Sequence, residues 1–370
     1  MIYQLGVFIA FFLSLLVLTK KGRNLADNIL GIWMILIGLH LSAYYSFVSG
    51  LIYKYPEILW LNIPYPFLHG PMLYLYTQAL TNPEKFKTKK WLLHFILPVY
   101  ILVIHIPFML KPKKELIELI KNYNQNEEDW LSILTQILLT VSGFFYVFIT
   151  NKLLSRHKNR ILNQFSNQEK INLNWLRMLF YGMGLMWVFI IFTGYDPLIF
   201  SAASVFTVFI GYFGIKQVGI FTNQNVEVED EEPVFENVTE INGIEKKKYA
   251  KSGLNDDLAK EIHQKLKDLM ETEKHFIEPE ITLTDLANRL DIPSNYLSQV
   301  INELEGVNFY DYINTLRIEE FKRLVSFPEN QKYTLLALAY DCGFNSKTAF
   351  NRVFKKATDL SPSEYVKNLN

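Results

Sequence analysis

Nine side chains near the C-terminus have the types and spacing of a surface that reads nucleic-acid base edges. Asn295, Ser298, Gln299 and Asn302 fall at helical intervals in one segment, and Lys347, Thr348, Asn351, Arg352 and Lys355 do so in another. Arg can pair bidentately with guanine, Asn or Gln with adenine, and Lys with phosphate or guanine. A second group, His40, His69, His94 and His105 with Asn62 and Gln136, lies in apolar sequence. Polar groups there are costly and hence candidates for function, although bridging hydrogen bonds between helices are their ordinary use. His94 and His105 are eleven residues apart, roughly 16 Å along one helix, too far to share a metal. Tyr65 and His69 belong to the string IPYPFLHGP, in which Pro64, Pro66 and Pro71 imply a kinked helix with freed carbonyls. These two residues are the candidate lining of a ligand cavity. No HExxH motif, CxxC pair or nucleophile elbow occurs, so the sequence assigns no catalytic residue, no metal and no cofactor.

The elements that would position the base-reading side chains are helices, and they repeat. Leu258, Ile262, Leu266, Leu269 and Met270 form an apolar stripe at helical spacing, which predicts an amphipathic helix over 255–272. In TLTDLANRLDIPSNYLSQVINEL, Thr282 is placed to cap a helix with Asp285 three positions on, burying Leu283, Leu286, Ala287 and Leu290. Ser294 is then placed to cap a second helix that buries Leu297, Val300 and Ile301. TLLALAYDCGFNSKTAFNRVFKKA repeats the pattern 52 residues later, with Thr334 as cap and Leu335, Leu338, Ala339 and Cys342 as the buried face. Gly343 supplies a left-handed turn residue, and Ser346 caps a helix burying Phe350, Val353 and Phe354. Each copy, at 282–303 and 334–357, reads as helix, tight turn, helix. Phe309, Tyr312, Ile313, Leu316 and Leu324 mark a connecting helix between them.

The string GFNSKTAFNRVFKKATDLSPSEYV resembles the closing signature of AraC/XylS-type regulators at Gly343, Phe344, Ser346, Phe350, Arg352, Phe354, Lys355, Ser361, Pro362 and Tyr365. NFYDYINTLRIEEFKRLV is similar to that family's connecting helix, with Arg317 at its usual arginine. Asp359 stands where Gly is usual, which Asp tolerates at a left-handed position, and Gln299 replaces a frequent Arg. The resemblance covers about residues 255–370. It implies two recognition helices presented to successive major grooves of double-stranded DNA, about 34 Å apart.

The remaining two thirds of the 370 residues differ in composition. Seven stretches of 18 residues or more lack Asp, Glu, Lys and Arg: 1–19, 28–53, 58–83, 91–110, 130–151, 178–195 and 197–215. A bilayer core needs roughly 20 apolar helical residues, so residues 1–219 read as a seven-helix transmembrane domain contacting membrane lipid. Alternate loops carry thirteen and five basic residues. The positive-inside rule then puts the N-terminus outside and the C-terminus in the cytoplasm, in the cell inner membrane. Residues 220–254, with the acidic run Glu229–Glu232, read as a flexible linker. The expected whole is all-α: a membrane bundle, a linker and a DNA-binding domain at 255–370, controlled by an unidentified signal ligand. Net charges of +9, −5 and −4 over 1–219, 220–250 and 251–370 leave the DNA-binding part acidic. It is therefore expected to bind weakly as a monomer and to depend on a homodimer, DNA shape or tethering. A transporter or membrane enzyme with a regulatory cytoplasmic domain is the alternative, and proteolytic release near the linker a third reading.

Overall fold

The computed structural model describes residues 1–58, 62–121, 130–167, 174–193, 195–216 and 254–369. Among these there is no strand, only an isolated bridge between Phe165 and Thr282, in agreement with the all-α expectation. The chain divides into two compact units, Met1–His157 with Leu173–Asn225, and Lys158–Asn172 with Val226–Asn370. Residues 158–167 thus belong with the C-terminal unit rather than with the apolar helices that flank them in sequence. The expected linker at 220–254, apart from Leu254, lies outside the described residues.

The N-terminal unit opens with α1 (Ile2–Thr19) and α2 (Leu25–Val48). Asn24 and Asp27 form a reciprocal capping box at the start of α2, which satisfies two of its orphan donors. Lys20 pairs with the same Asp27 at 3.1 Å. Close approach of α1 to α2 rests on small residues: Ser14 donates to the Gly31 carbonyl at 2.9 Å, and a Cβ on Gly31 would meet Leu18 at 2.5 Å. Then come α3 (Tyr65–Thr81), α4 (Ile96–Ile104), α5 (Ile106–Met109), α6 (Lys113–Lys121), α7 (Trp130–Gln164), α8 (Asn174–Thr193) and α9 (Asp196–Lys216). Trp33, Leu13, Met34, Leu41 and Leu73 lie fully buried at the centre.

Among the described residues, three helices, α1, α2 and α7, are long and apolar enough to cross a membrane, not seven. The shortfall has local causes. Within 58–83, the helix begins only at Tyr65, after Pro64, and runs 17 residues. Within 91–110, the chain forms a 3₁₀ segment at Lys90–Phe95 and then α4 and α5, which begins at Ile106 with Pro107 in its first turn; proline is tolerated there but not inside a continuous helix.

The C-terminal unit contains α10 (Asp256–Thr272), α11 (Leu283–Arg289), α12 (Ser294–Val300), α13 (Phe309–Val325), α14 (Leu335–Asp341), α15 (Lys347–Thr358) and α16 (Pro362–Leu369). It has two cores. One gathers Ile262, Leu266, Leu286, Leu297, Val300 and Ile313; the other gathers Ile318, Phe321, Leu338, Cys342, Phe350 and Phe354. Helix α13 serves both, giving Phe309, Tyr312 and Ile313 to the first and Tyr310, Ile318 and Phe321 to the second. One rigid helix therefore sets the relation of the two motifs.

Candidate nucleic-acid interface

Both helix-turn-helix motifs are built from the signals their sequences carry. Thr282 Oγ1 accepts from the Asp285 amide at 3.1 Å, while Asp285 accepts from the Thr282 amide at 2.9 Å. In the second copy, Thr334 accepts from the Ala337 amide and Ser346 from the Ala349 amide, both at 3.1 Å. Ser294 departs from its expected role: Pro293 takes the N-cap position of α12 and Ser294 is the first helical residue. The turns also repeat. Ile292 N–H donates to the Ala287 carbonyl and Phe344 N–H to the Ala339 carbonyl, the same bond 52 residues apart. The left-handed turn residue is Asp291 (φ 54°) in the first copy and Gly343 (φ 91°) in the second. A Cβ on Gly343 would sit 2.6 Å from the Ile277 carbonyl oxygen, so the second turn requires glycine for space as well as for conformation. Asp359, at φ 58°, ends α15 in the left-handed conformation.

Helix α15 presents Lys347, Thr348, Asn351, Arg352 and Lys355 on its exposed face, opposite buried Phe350, Val353 and Phe354. Phe350 is locked by Phe321 at 4.7 Å and Phe344 at 5.3 Å between ring centres. Arg352 donates to the Tyr310 hydroxyl at 3.1 Å, and Lys356 is held by Asp311 at 2.7 Å. The first copy is less open than its sequence implies. Asn295 is exposed, Ser298 and Asn302 are half-buried, and Asn302 donates to the Ser298 carbonyl at 2.7 Å. Gln299 is buried, and its Nε2 donates to Glu303 at 3.2 Å, so it is not on the presented face as expected. The winding changes to a π-turn at Ile301–Glu305, immediately after α12, and displaces the residues that follow from a 3.6-residue period.

Arg317 explains the arginine of the connecting helix. It is 2% exposed, and its donors reach the carbonyls of Phe276 (2.6 Å) and Glu278 (2.7 Å) and Asn314 Oδ1 (3.4 Å), with the guanidinium 5.9 Å from the Phe344 ring centre. None of these partners is a carboxylate, and burial pushes its pKa down to about 10. It ties the segment before α11 to α13 and lies beside the turn of the second motif. Burial pushes the Cys342 thiol up to about 12, which makes it an inert part of the core.

In the N-terminal unit, Tyr65 and His69 are both packed on the His40 ring, at 5.5 and 5.3 Å between ring centres. His69 accepts from Trp33 Nε1 at 3.2 Å through Nδ1, and its Nε2 lies 3.0 Å from His40 Nδ1. The His40 ring packs on Tyr65 and on Phe200 at 5.5 and 5.1 Å. Both ring nitrogens of His69 are thus engaged internally. The unit's open groove, about 530 Å³, lies elsewhere and is lined by Gln4, Phe8, Phe11, Leu15, Ser42 and Tyr45 among others. His94 meets Tyr146 at 3.1 Å and His105 its own helix at Ile101. No cluster of three or more metal-ligating side chains occurs among the described residues.

Residues 286–368 match the family described as a helix-turn-helix domain. An uncharacterized HTH-type transcriptional regulator of Staphylococcus aureus (strain COL) is 30% identical over 112 residues, covering 30% of this chain and 14% of that protein. Another, YijO of Escherichia coli (strain K12), is 33% identical over 85 residues, covering 23% of this chain and 29% of that protein. The chain thus spans less than a third of the length of either relative. A solved structure of a protein of unknown function from Listeria innocua is 31% identical over 29% of this chain and 94% of its own, with a TM-score of 0.25.

Proposed function

We propose that this protein is a membrane-tethered transcription regulator that binds double-stranded DNA through α12 and α15 and is controlled by a signal received by the N-terminal unit. The observation that carries the reading is the polar, cationic face of α15 on a capped, rigidly packed recognition helix, in a motif duplicated at a 52-residue interval. Asn351 and Arg352 suit base edges, and Lys347 and Lys355 suit phosphate; Asn295, Ser298 and Asn302 are the corresponding groups on and just beyond α12. The relatives' description as HTH-type transcriptional regulators supports the same role.

Membrane tethering is supported by α1, α2 and α7 and by the apolar side chains that face outward. Phe8 and Leu15 on α1 are 66% and 60% exposed, and Phe144 and Phe148 on α7 are 62% and 61% exposed. Water does not tolerate continuous faces of this kind, whereas hydrocarbon does. The basic residues Lys20, Lys21 and Arg23 after α1 and Lys152, Arg156, Lys158 and Arg160 in the C-terminal part of α7 support a cytoplasmic side for those segments.

The test is genome-wide crosslinking of the epitope-tagged full-length protein beside an Arg352→Ala, Lys355→Ala variant, both side chains being exposed. Discrete peaks lost in the variant are expected. Their absence, with intact protein in the membrane fraction, refutes sequence-specific binding, and recovery of the protein in a carbonate-washed soluble fraction refutes the tether.

A further inference from the structure

The segment that follows His157 offers an observation that the DNA-binding reading does not use. Residues 158–167 are packed into the C-terminal unit, although the 88 residues 168–255 separate them in sequence from the helix that begins at Asp256. Phe165 forms a backbone bridge with Thr282, the cap of α11. Ser166, 2% exposed, donates through Oγ to the Ile281 carbonyl at 2.6 Å and accepts from Arg317 Nη2 at 3.4 Å. Its own carbonyl accepts from Asn314 Nδ2 at 3.1 Å. Leu162 packs against the core of the second motif. Ser166 and Asn167 line a crevice with Phe344, Asn345, Ala349 and Arg352, whose free space, about 10 Å³, is about enough for one water. The segment therefore touches the cap of the first motif, the buried arginine of the connecting helix and the root of the second recognition helix.

We infer that residues 158–167 are an intramolecular strap whose docking across the two helix-turn-helix motifs opposes duplex binding, and whose release is the regulatory step. The strap lies against Ala349 and Arg352, where the wall of a major groove must approach α15. Arg352, which lines the same crevice as Ser166 and Asn167, stays exposed and donates to the Tyr310 hydroxyl of α13. Helix α7 runs from Trp130 to Gln164 without interruption, so the strap is a direct continuation of a helix of the N-terminal unit. A change in that helix acts on the strap with no further partner. The inference rests on the DNA-binding reading and gives it a control element.

The test uses the full-length protein in phosphatidylcholine nanodiscs with a Phe165→Cys, Thr282→Cys pair. Bridged residues have Cα atoms about 4.5–5.5 Å apart, within disulfide range, and native Cys342 is buried. The probe is a pool of short duplexes with randomised centres, selected on a Leu162→Asp variant, which removes the strap's apolar anchor and replaces no residue of either motif. The oxidised pair should form the disulfide and bind the selected duplexes more than about ten-fold more weakly than after reduction, since the apparent affinity is the intrinsic affinity multiplied by the competent fraction. Leu162→Asp should bind more tightly than wild type. Failure of the disulfide to form, equal binding by oxidised and reduced protein, or equal binding by Leu162→Asp and wild type each overturns the strap while duplex binding by the reduced protein survives. If intact protein retains no duplex in any of these forms, the DNA-binding reading itself fails and the strap's function falls with it.

Discussion

Gly343→Ala isolates the geometry on which the second motif depends. Two penalties act at this position. A non-glycine residue in left-handed backbone costs roughly 1–2 kcal/mol, and here the new Cβ would lie 2.6, 2.8 and 2.9 Å from the carbonyl oxygen, carbonyl carbon and Cα of Ile277. Those are backbone atoms and cannot swing aside, so the turn and the Ile277 segment must separate, at about a further 1–3 kcal/mol. Gly306 is the internal control. Its φ of 69° carries the same conformational penalty, yet nothing lies within 4 Å of its Cβ position. Hydrogen exchange of the α14 and α15 amides in the full chain reads the difference directly. A loss of about 3 kcal/mol accelerates exchange about 150-fold, whereas Gly306→Ala, at about 1 kcal/mol, should accelerate the α12 amides about five-fold. Equal acceleration by the two substitutions would refute the steric part of the reasoning, and no acceleration by either would refute the turn assignment.

Two further expectations concern the charged groups of the C-terminal unit. Arg317→Met leaves the Phe276 and Glu278 carbonyls without their buried donor, a loss of about 3–5 kcal/mol seen as a lower melting temperature; a Met variant as stable as wild type would show that the guanidinium is dispensable. The Glu320 carboxyl, hydrogen-bonded by Arg323 and Lys274, is held down at about 2 from its ordinary 4.5. A depressed carboxyl contributes stability above its unfolded pKa and loses it as pH falls through the folded one. The melting difference between wild type and Glu320→Gln should therefore persist at neutral pH and fade between 4.5 and about 2; a difference independent of pH would show that the ion pairs contribute nothing.

The second motif was legible almost residue by residue, because its signals are local: Thr334 and Ser346 cap, Gly343 turns, and Phe350, Val353 and Phe354 fall on one helical face. In the first motif the same logic succeeded for Thr282 and missed Asp291, whose left-handed conformation leaves no mark except its position 52 residues before Gly343. Gln299 was misplaced although it lies within regular α12: its amide folds along the chain to donate to Glu303, one turn on, rather than standing outward. Counting charge-free runs overestimated the long helices, since charge is only one condition for a span; prolines and 3₁₀ turns divide the run at 91–110 although it carries no charge. The placement of Ser166 was not legible at all. Its partners Ile281, Asn314 and Arg317 are 115, 148 and 151 positions away, and no periodicity within 158–167 encodes contacts of that range.

The charge of the C-terminal unit turns the question of how many copies bind DNA into a measurement. Residues 251–370 carry net −4, so a general electrostatic attraction to the duplex is absent and affinity must come from the local cations of α15. Lys356 is already paired with Asp311, which leaves Lys347, Arg352 and Lys355 as the cations of the presented face. Each phosphate neutralised contributes about −0.9 to the slope of log K against log salt. One copy engaging two phosphates through Lys347 and Lys355, with Arg352 on a base edge, gives a slope of about −1.8, a loss of roughly 12-fold between 50 and 200 mM salt. Two copies double the slope and raise the loss to about 150-fold over the same range. A titration of the full-length protein on a selected duplex across those salt concentrations therefore distinguishes a tethered monomer from a homodimer. A slope near zero would contradict phosphate contact by α15 altogether, because hydrogen bonds to base edges alone release few counterions.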